Sequence, residues 1–204
     1  MLSRRSVLGL VAVTLLVACV GSGFETYYDQ PIPAEVTQGW RVTDVRVSVP
    51  QTLVVSEQKT YLPKADIVWR EDPLGDRRAQ VATIMRNAVL RGAAGLRGSR
   101  AVVIEITMTR FHALTFEAET KLKNAGVHNI NFVAQVVDAD TGAILAGPAP
   151  IKAELPALSG DAMRAARQRG ETQKSQITAH VARTIAGWLS IGPDPRSKFS
   201  RSGN

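Results

Sequence analysis

AVVIEITMTRF, residues 101–111, decides the fold: Val102, Ile104, Ile106 and Met108 alternate with Val103, Glu105, Thr107 and Thr109. A period of two sustained over this length suits a strand that sends every other side chain into a core, and its β-branched residues favour the extended backbone. Downstream, Val127–Val137 predicts a second strand, and Asp138-Ala139-Asp140-Thr141-Gly142 separates it from the next apolar run. Aspartates in such a segment bond backbone amides two residues on, and a glycine accepts positive φ, so the segment predicts a turn closing a hairpin onto Ala143–Ala146. Ile151–Leu155 extends the same sheet.

Upstream of the quoted stretch, Val45, Val47 and Val49 alternate with polar residues, which predicts a strand over Arg41–Val49 ended by Pro50. Leu53–Ser56 reads as a short additional strand. Asp72-Pro73 reads as a helix start, with Asp72 as N-cap and Pro73 in the first turn, where its missing N–H costs nothing. Val81, Ile84, Met85 and Ala88 then share one helical face, and the helix runs to Gly92 or Gly95. After the sheet, Ser159 reads as the N-cap of a long helix with Ile177, Val181, Ile185, Trp188 and Leu189 in one stripe. Gly170 predicts a kink or a division into two helices, and Gly192-Pro193 ends the segment. The order β-β-α-β-β-β-α predicts an α+β fold, a two-layer sandwich in which a mixed or antiparallel sheet carries two helices on one face.

Of the 204 residues, 45% are hydrophobic and 21% charged, enough apolar surface for one core. The formal charge is +7, or +5 with 23 basic against 18 acidic side chains once Arg4 and Arg5 are removed. This mild basicity suits either a solvated surface or an anionic partner. Aromatics are only 5%, and no basic stripe interleaved with rings occurs, so nucleic acid is excluded as a partner. Cys19 is the single cysteine, so no intramolecular disulfide can form.

The amino-terminal segment has its own logic. Arg4 and Arg5 precede twelve uncharged, mostly apolar residues, Val7–Ala18, the architecture of a secretion signal. Leu16-Val17-Ala18-Cys19 resembles the lipobox of bacterial lipoproteins. The resemblance implies that Cys19 takes a diacylglycerol on its sulfur and becomes the mature N-terminus, a role that needs a thiol nucleophile. Such an anchor holds a domain at a membrane essentially permanently. Val20 and Gly21 lack the acidic charge that retains these proteins at the inner membrane, so the resemblance points to the outer membrane over the inner, facing the periplasm. Ser3-Arg4-Arg5-Ser6 partly resembles a twin-arginine motif, but Val7 stands where an aromatic is usual, which favours the general secretion route. The expected organisation is a signal peptide over 1–18, a lipidated N-terminus and flexible tether over 19–39, the α+β domain over 40–192, and a disordered basic tail over 193–204. The element order and the Asp-rich hairpin resemble the amino-terminal half of TolB and small accessory lipoprotein domains of the cell envelope.

His112, His128 and His180 have spacings that match no zinc motif, and no nucleophile elbow, phosphate-cradling loop or dinucleotide fingerprint occurs. The expectation is a non-enzymatic chain without metal or cofactor. Trp69 and Arg70, with Arg77 and Arg78 nearby, form the candidate partner-binding patch, because Trp and Arg dominate binding hot spots. Arg77 and Arg78 stand in the first turns of the expected helix, where cations oppose the macrodipole, so they need another explanation; ion pairs with Glu71, Asp72 or Asp76 are the alternative to a partner. The sequence thus reads as a membrane-tethered accessory or adaptor protein binding an envelope complex. The alternatives are a binder of envelope lipid or polymer, and a hydrolase with an unrecognised carboxylate site.

Overall fold

The computed structural model describes residues 23–201 apart from Asn124. The expected α+β class holds: one mixed sheet has two long helices packed against it. Strand β2 (Trp40–Ser48) lies parallel to β4 (Arg100–His112), joined to it by a crossover that contains α2 (Arg77–Gly92). Strand β4 pairs antiparallel with β5 (Val127–Asp138), and β5 with β6 (Ile144–Ala153). Short β3 (Ile67–Val68) adds to the end of β4 in parallel, and β7 (Leu155–Pro156) pairs with β5.

The quoted alternation is realised directly. Val102, Ile104, Ile106 and Met108 of β4 share the buried face with Ile130, Phe132, Ala134 and Val136 of β5. Val81, Met85 and Ala88 of α2 and Ile177, Val181 and Ile185 of α5 (Gln173–Trp188) cover them, in one continuous core. Each large side chain so buried contributes roughly 1.5–3 kcal/mol. The two helices pack closely at Gly92, where a Cβ would lie 2.5 Å from the carbonyl oxygen of Ala182. The opposite face is polar: Arg46 bonds Glu105 at 3.2 Å, and Gln135 bonds the same carboxylate at 2.7 Å.

Several boundaries differ from expectation, each for a local reason. The first long helix starts at Arg77, with Asp76 as N-cap accepting from the amides of Arg78 and Ala79 at 2.9 and 3.1 Å; Asp72 and Pro73 lie before it. Leu53–Ser56 forms no strand, only an isolated bridge between Val55 and Ile67. The long last helix is two, α4 (Gly160–Gln168) and α5, divided where Gly170 takes φ +80° and Thr172 opens a capping box with Ser175. Ser159 precedes α4, but its hydroxyl bonds the backbone of Ala125 instead of capping the helix.

Two segments expected as tether and tail belong to the sheet. Phe24–Tyr28 forms β1, antiparallel to β6, and Ser197–Phe199 forms β8, antiparallel to β1. Short helices α1 (Ala34–Thr37) and α3 (Phe116–Lys121) complete the order. Tyr28 anchors β1: its ring is buried, its hydroxyl donates to Asp194 at 2.9 Å, and Arg196 stacks on it.

Candidate functional site

The residues singled out for partner binding converge where β3 joins the end of β4. Trp69 follows β3 and is fully buried. Its ring meets Phe111 edge-on at 5.7 Å, and its Nε1 donates to Asp72 at 2.8 Å, so it is a core residue whose polar atom has found a partner. Arg77 is buried as well. It forms a two-pronged pair with Glu57 at 2.6 and 3.2 Å and donates to the carbonyl oxygens of Asp72 and Pro73 and to Gln80. Arg70 pairs with the same Glu57 carboxylate at 3.2 Å. Arg78 donates to the carbonyl oxygens of Pro50, Gln51 and Leu53.

The four residues therefore brace the fold, with Trp69 and Arg77 buried within it. The reason lies in the irregular backbone on either side of β3, whose carbonyls need donors: Arg70 and Arg78 supply them between β2 and β3, and Arg77 between β3 and α2. The macrodipole cost of cations at the start of α2 is offset by these bonds. Of the expected acidic partners, Asp72 serves Arg77 only through its backbone carbonyl, and Glu57, distant in sequence, takes the ionic role.

A second set of charges, none of them anticipated, joins this bracing to the end helices. The Glu71 carboxylate accepts from the amides of Gln173 and Lys174 at 3.1 and 2.6 Å, capping α5 from a loop about a hundred residues away in sequence. Arg167 of α4 bonds Glu71 at 3.0 Å and grips both oxygens of the buried Glu119 at 2.9 Å. Lys174 pairs with Asp72. Burial pushes the Asp72 carboxyl up, but hydrogen bonds from Lys174 and Trp69 outweigh this and hold it below its ordinary value. The Arg77 hydrogen bonds likewise hold Glu57 below its ordinary value. Glu57, Glu119, Arg167 and Lys174 carry no spacing signal, because their partners are brought together only by the tertiary fold. Glu119 is buried, and a carboxylate taken out of water requires such partners.

Two open hollows flank this network. One of about 610 Å³ is lined by Glu57, Lys59, Arg70, Arg77 and Phe116; the other, of about 540 Å³, lies between α2 and the start of α5 and is lined by Gln80, Ile84, Asn87, Lys174 and Thr178. They share Asp72, Pro73 and Leu74, and Leu74, 84% exposed, projects between them. The carboxylates of Glu57, Glu71, Asp72 and Glu119 here are each bound by a cation or by backbone amides.

The histidines are internal. His128 is fully buried, both its ring nitrogens lack a hydrogen-bond partner among the described residues, and burial depresses its pKa to about 3. His180 bonds Thr26 at 2.9 Å and is depressed by burial to about 4, and burial also lowers His112. Among the described residues, no group of three or more His, Cys, Asp or Glu side chains is placed to hold a metal ion. Leu16, Val17, Ala18 and Cys19 lie outside the described residues.

Residues 40–204 match a family described as "Family of unknown function (DUF6778)". The chain belongs to this family. The DUF6778 match begins at Trp40, the first residue of β2, so β1 and α1 precede the matched span while β8 falls inside it. No curated protein matches the chain. Among solved structures, this DUF6778 chain is similar to a protein of Caulobacter crescentus CB15 described as a "putative lipoprotein", with 15% identity and a TM-score of 0.35 over 77% of this chain and 95% of the other. It is also similar to the PelC dodecamer of Paraburkholderia phytofirmans, as a single-residue variant (12% identity, TM-score 0.39, 82% of this chain and 97% of the other) and in a second crystal form (11%, 0.32, 81% and 97%).

Proposed function

We propose that this DUF6778 chain is a lipid-anchored envelope protein whose domain acts as a non-enzymatic accessory, docking a protein of an envelope complex. The observation that carries the anchor is Cys19, the only thiol, placed directly after the apolar run Val7–Ala18 in a lipobox-like Leu16-Val17-Ala18-Cys19. The accessory role is supported by the engagement of Glu57, Glu71, Asp72 and Glu119 in holding loops and helix ends. With Trp69 and Arg77 internal, the docking contact moves to Leu74, the exposed side chain between two hollows.

Mass spectrometry of the mature amino-terminal peptide tests the anchor: acylated Cys19 as first residue is expected, and an unmodified residue 19 overturns it. A photocrosslinking side chain placed at position 74 in living cells tests the docking. Discrete adducts that are absent when the probe stands at position 144 are expected; equal adducts at both positions, or none, overturn the Leu74 contact.

A further inference from the structure

Strand directions gather many segments at one end of the sheet. β1 begins there at Phe24, β8 ends there at Phe199, β4 ends there at His112 and β5 begins there at Val127. The loop over 56–66 and the segment around α3 close this end: the Thr115 hydroxyl donates to the Thr60 carbonyl at 2.8 Å, and the Gly126 amide to that of Arg201 at 3.0 Å.

Charge is distributed unevenly over the molecule. Of the seven lysines, Lys59, Lys64, Lys121, Lys123 and Lys198 stand exposed at this end. Lys152 and Lys174 hold Glu25 and Asp72. The five take part in no ion pair among the described residues. Of the nearby acids, Glu57 is engaged by Arg77, Glu119 by Arg167, Asp161 by Arg164 and Glu25 by Lys152, while Glu117, beside Phe116, is held by no arginine among the described residues. Between the lysines, Tyr61, Leu62 and Phe116 present exposed apolar surface, Leu62 at 64%.

We propose that this end of the domain, with its unpaired lysines around Tyr61, Leu62 and Phe116, rests on an anionic lipid bilayer. The proposal rests on the anchor reading of Cys19 for its geometry. From Cys19 to Phe24, five residue steps of extended chain reach about 18 Å at most. Strand β4, 13 residues long, extends about 43 Å from this end to the other at roughly 3.3 Å per residue. An anchor at Cys19 therefore brings the Phe24 end to the lipid and leaves the Ile144 end away from it. Cations interspersed with exposed ring and aliphatic groups fit an anionic headgroup layer, in which apolar groups enter the interface and lysines meet phosphates. Each lysine near such a surface adds on the order of fivefold to the attraction. The chain from Cys19 thus acts as a short leash that fixes orientation.

The test uses the mature full-length protein bound to vesicles of phosphatidylethanolamine and phosphatidylglycerol, with an environment-sensitive fluorophore on Leu62→Cys or, separately, on Ile144→Cys, and nitroxide-bearing lipids as quencher. Strong quenching at position 62 and little at position 144 is expected, and adding Lys121→Glu, Lys123→Glu and Lys198→Glu should reduce the quenching at position 62 severalfold. Equal quenching at both positions, or indifference to the three reversals, overturns the proposal. The mass of the amino-terminal peptide is read in parallel. Acylated Cys19 with an unquenched position 62 leaves the anchor standing and removes the docking surface; an unmodified Cys19 with a quenched position 62 does the reverse.

Discussion

Acidification from pH 7.5 to 5.5 should destabilise the domain through His128. In the folded state this ring is buried without a partner and its pKa lies at about 3, whereas in the unfolded chain it returns to an ordinary value near 6.5. Between those values the unfolded state binds a proton that the folded state refuses, so stability falls as pH falls, starting just above pH 6.5. The slope is about 1.4 kcal/mol per pH unit for one such group, and the two-unit change costs roughly 1–2 kcal/mol for His128 alone. His180, depressed in the same direction to about 4, adds a cost of the same sign. The carboxyls of Asp44, Glu57 and Asp72 are held below their ordinary values, so their own loss of stabilising charge falls below this window. Urea unfolding at both pH values reads it directly: with a slope near 2 kcal/mol per molar, the midpoint should fall by roughly half a molar or more. His128→Leu, similar in volume and without an unpaired nitrogen, should be no less stable at pH 7.5 and should lose about half of the pH dependence. An unchanged pH dependence in that variant would refute the reasoning.

Three further outcomes follow from the bracing. Arg77→Met removes the paired guanidinium from Glu57 and its donors from two carbonyls, and should cost about 2–3 kcal/mol in chemical unfolding, against less than about 1 kcal/mol for Arg70→Met; equal effects would mean that Arg77 is not the main brace. Glu71→Ala uncaps α5 from a distance and should cost about 1–2 kcal/mol, with faster amide hydrogen exchange at Gln173 and Lys174; unchanged exchange there would contradict the cap. Gly92→Ala places a methyl against the Ala182 carbonyl and should lower stability by about 1–3 kcal/mol, although alanine is the better helix former; a more stable variant would show that α2 and α5 are not packed so tightly.

The legible part of this fold was the part governed by repetition. β4 and β5 announce themselves because Val102, Ile104, Ile106 and Met108 alternate without interruption, and the turn after Asp138 because the Asp138 side chain accepts from Asp140, Thr141 and the Thr141 hydroxyl. β1 and β8 were hidden because they are short strands whose alternation is too brief to stand above the neighbouring prolines and glycines. The candidate site was legible in place but not in role. A tryptophan among charges looks the same in sequence whether its ring faces solvent or Phe111, and only the tertiary fold brings Glu57 to Arg77 and Glu71 to the start of α5.

The position of β1 between β6 and β8 has a consequence for the order of assembly. The first strand of the described chain has no sheet neighbour until residues 144–153 follow it, and the last described strand pairs only with that first one. This margin of the sheet thus joins segments far apart in the sequence, and it closes only after nearly all of the described residues are in place. Until then Phe24–Tyr28 leaves the hydrogen-bonding groups of its backbone without sheet partners.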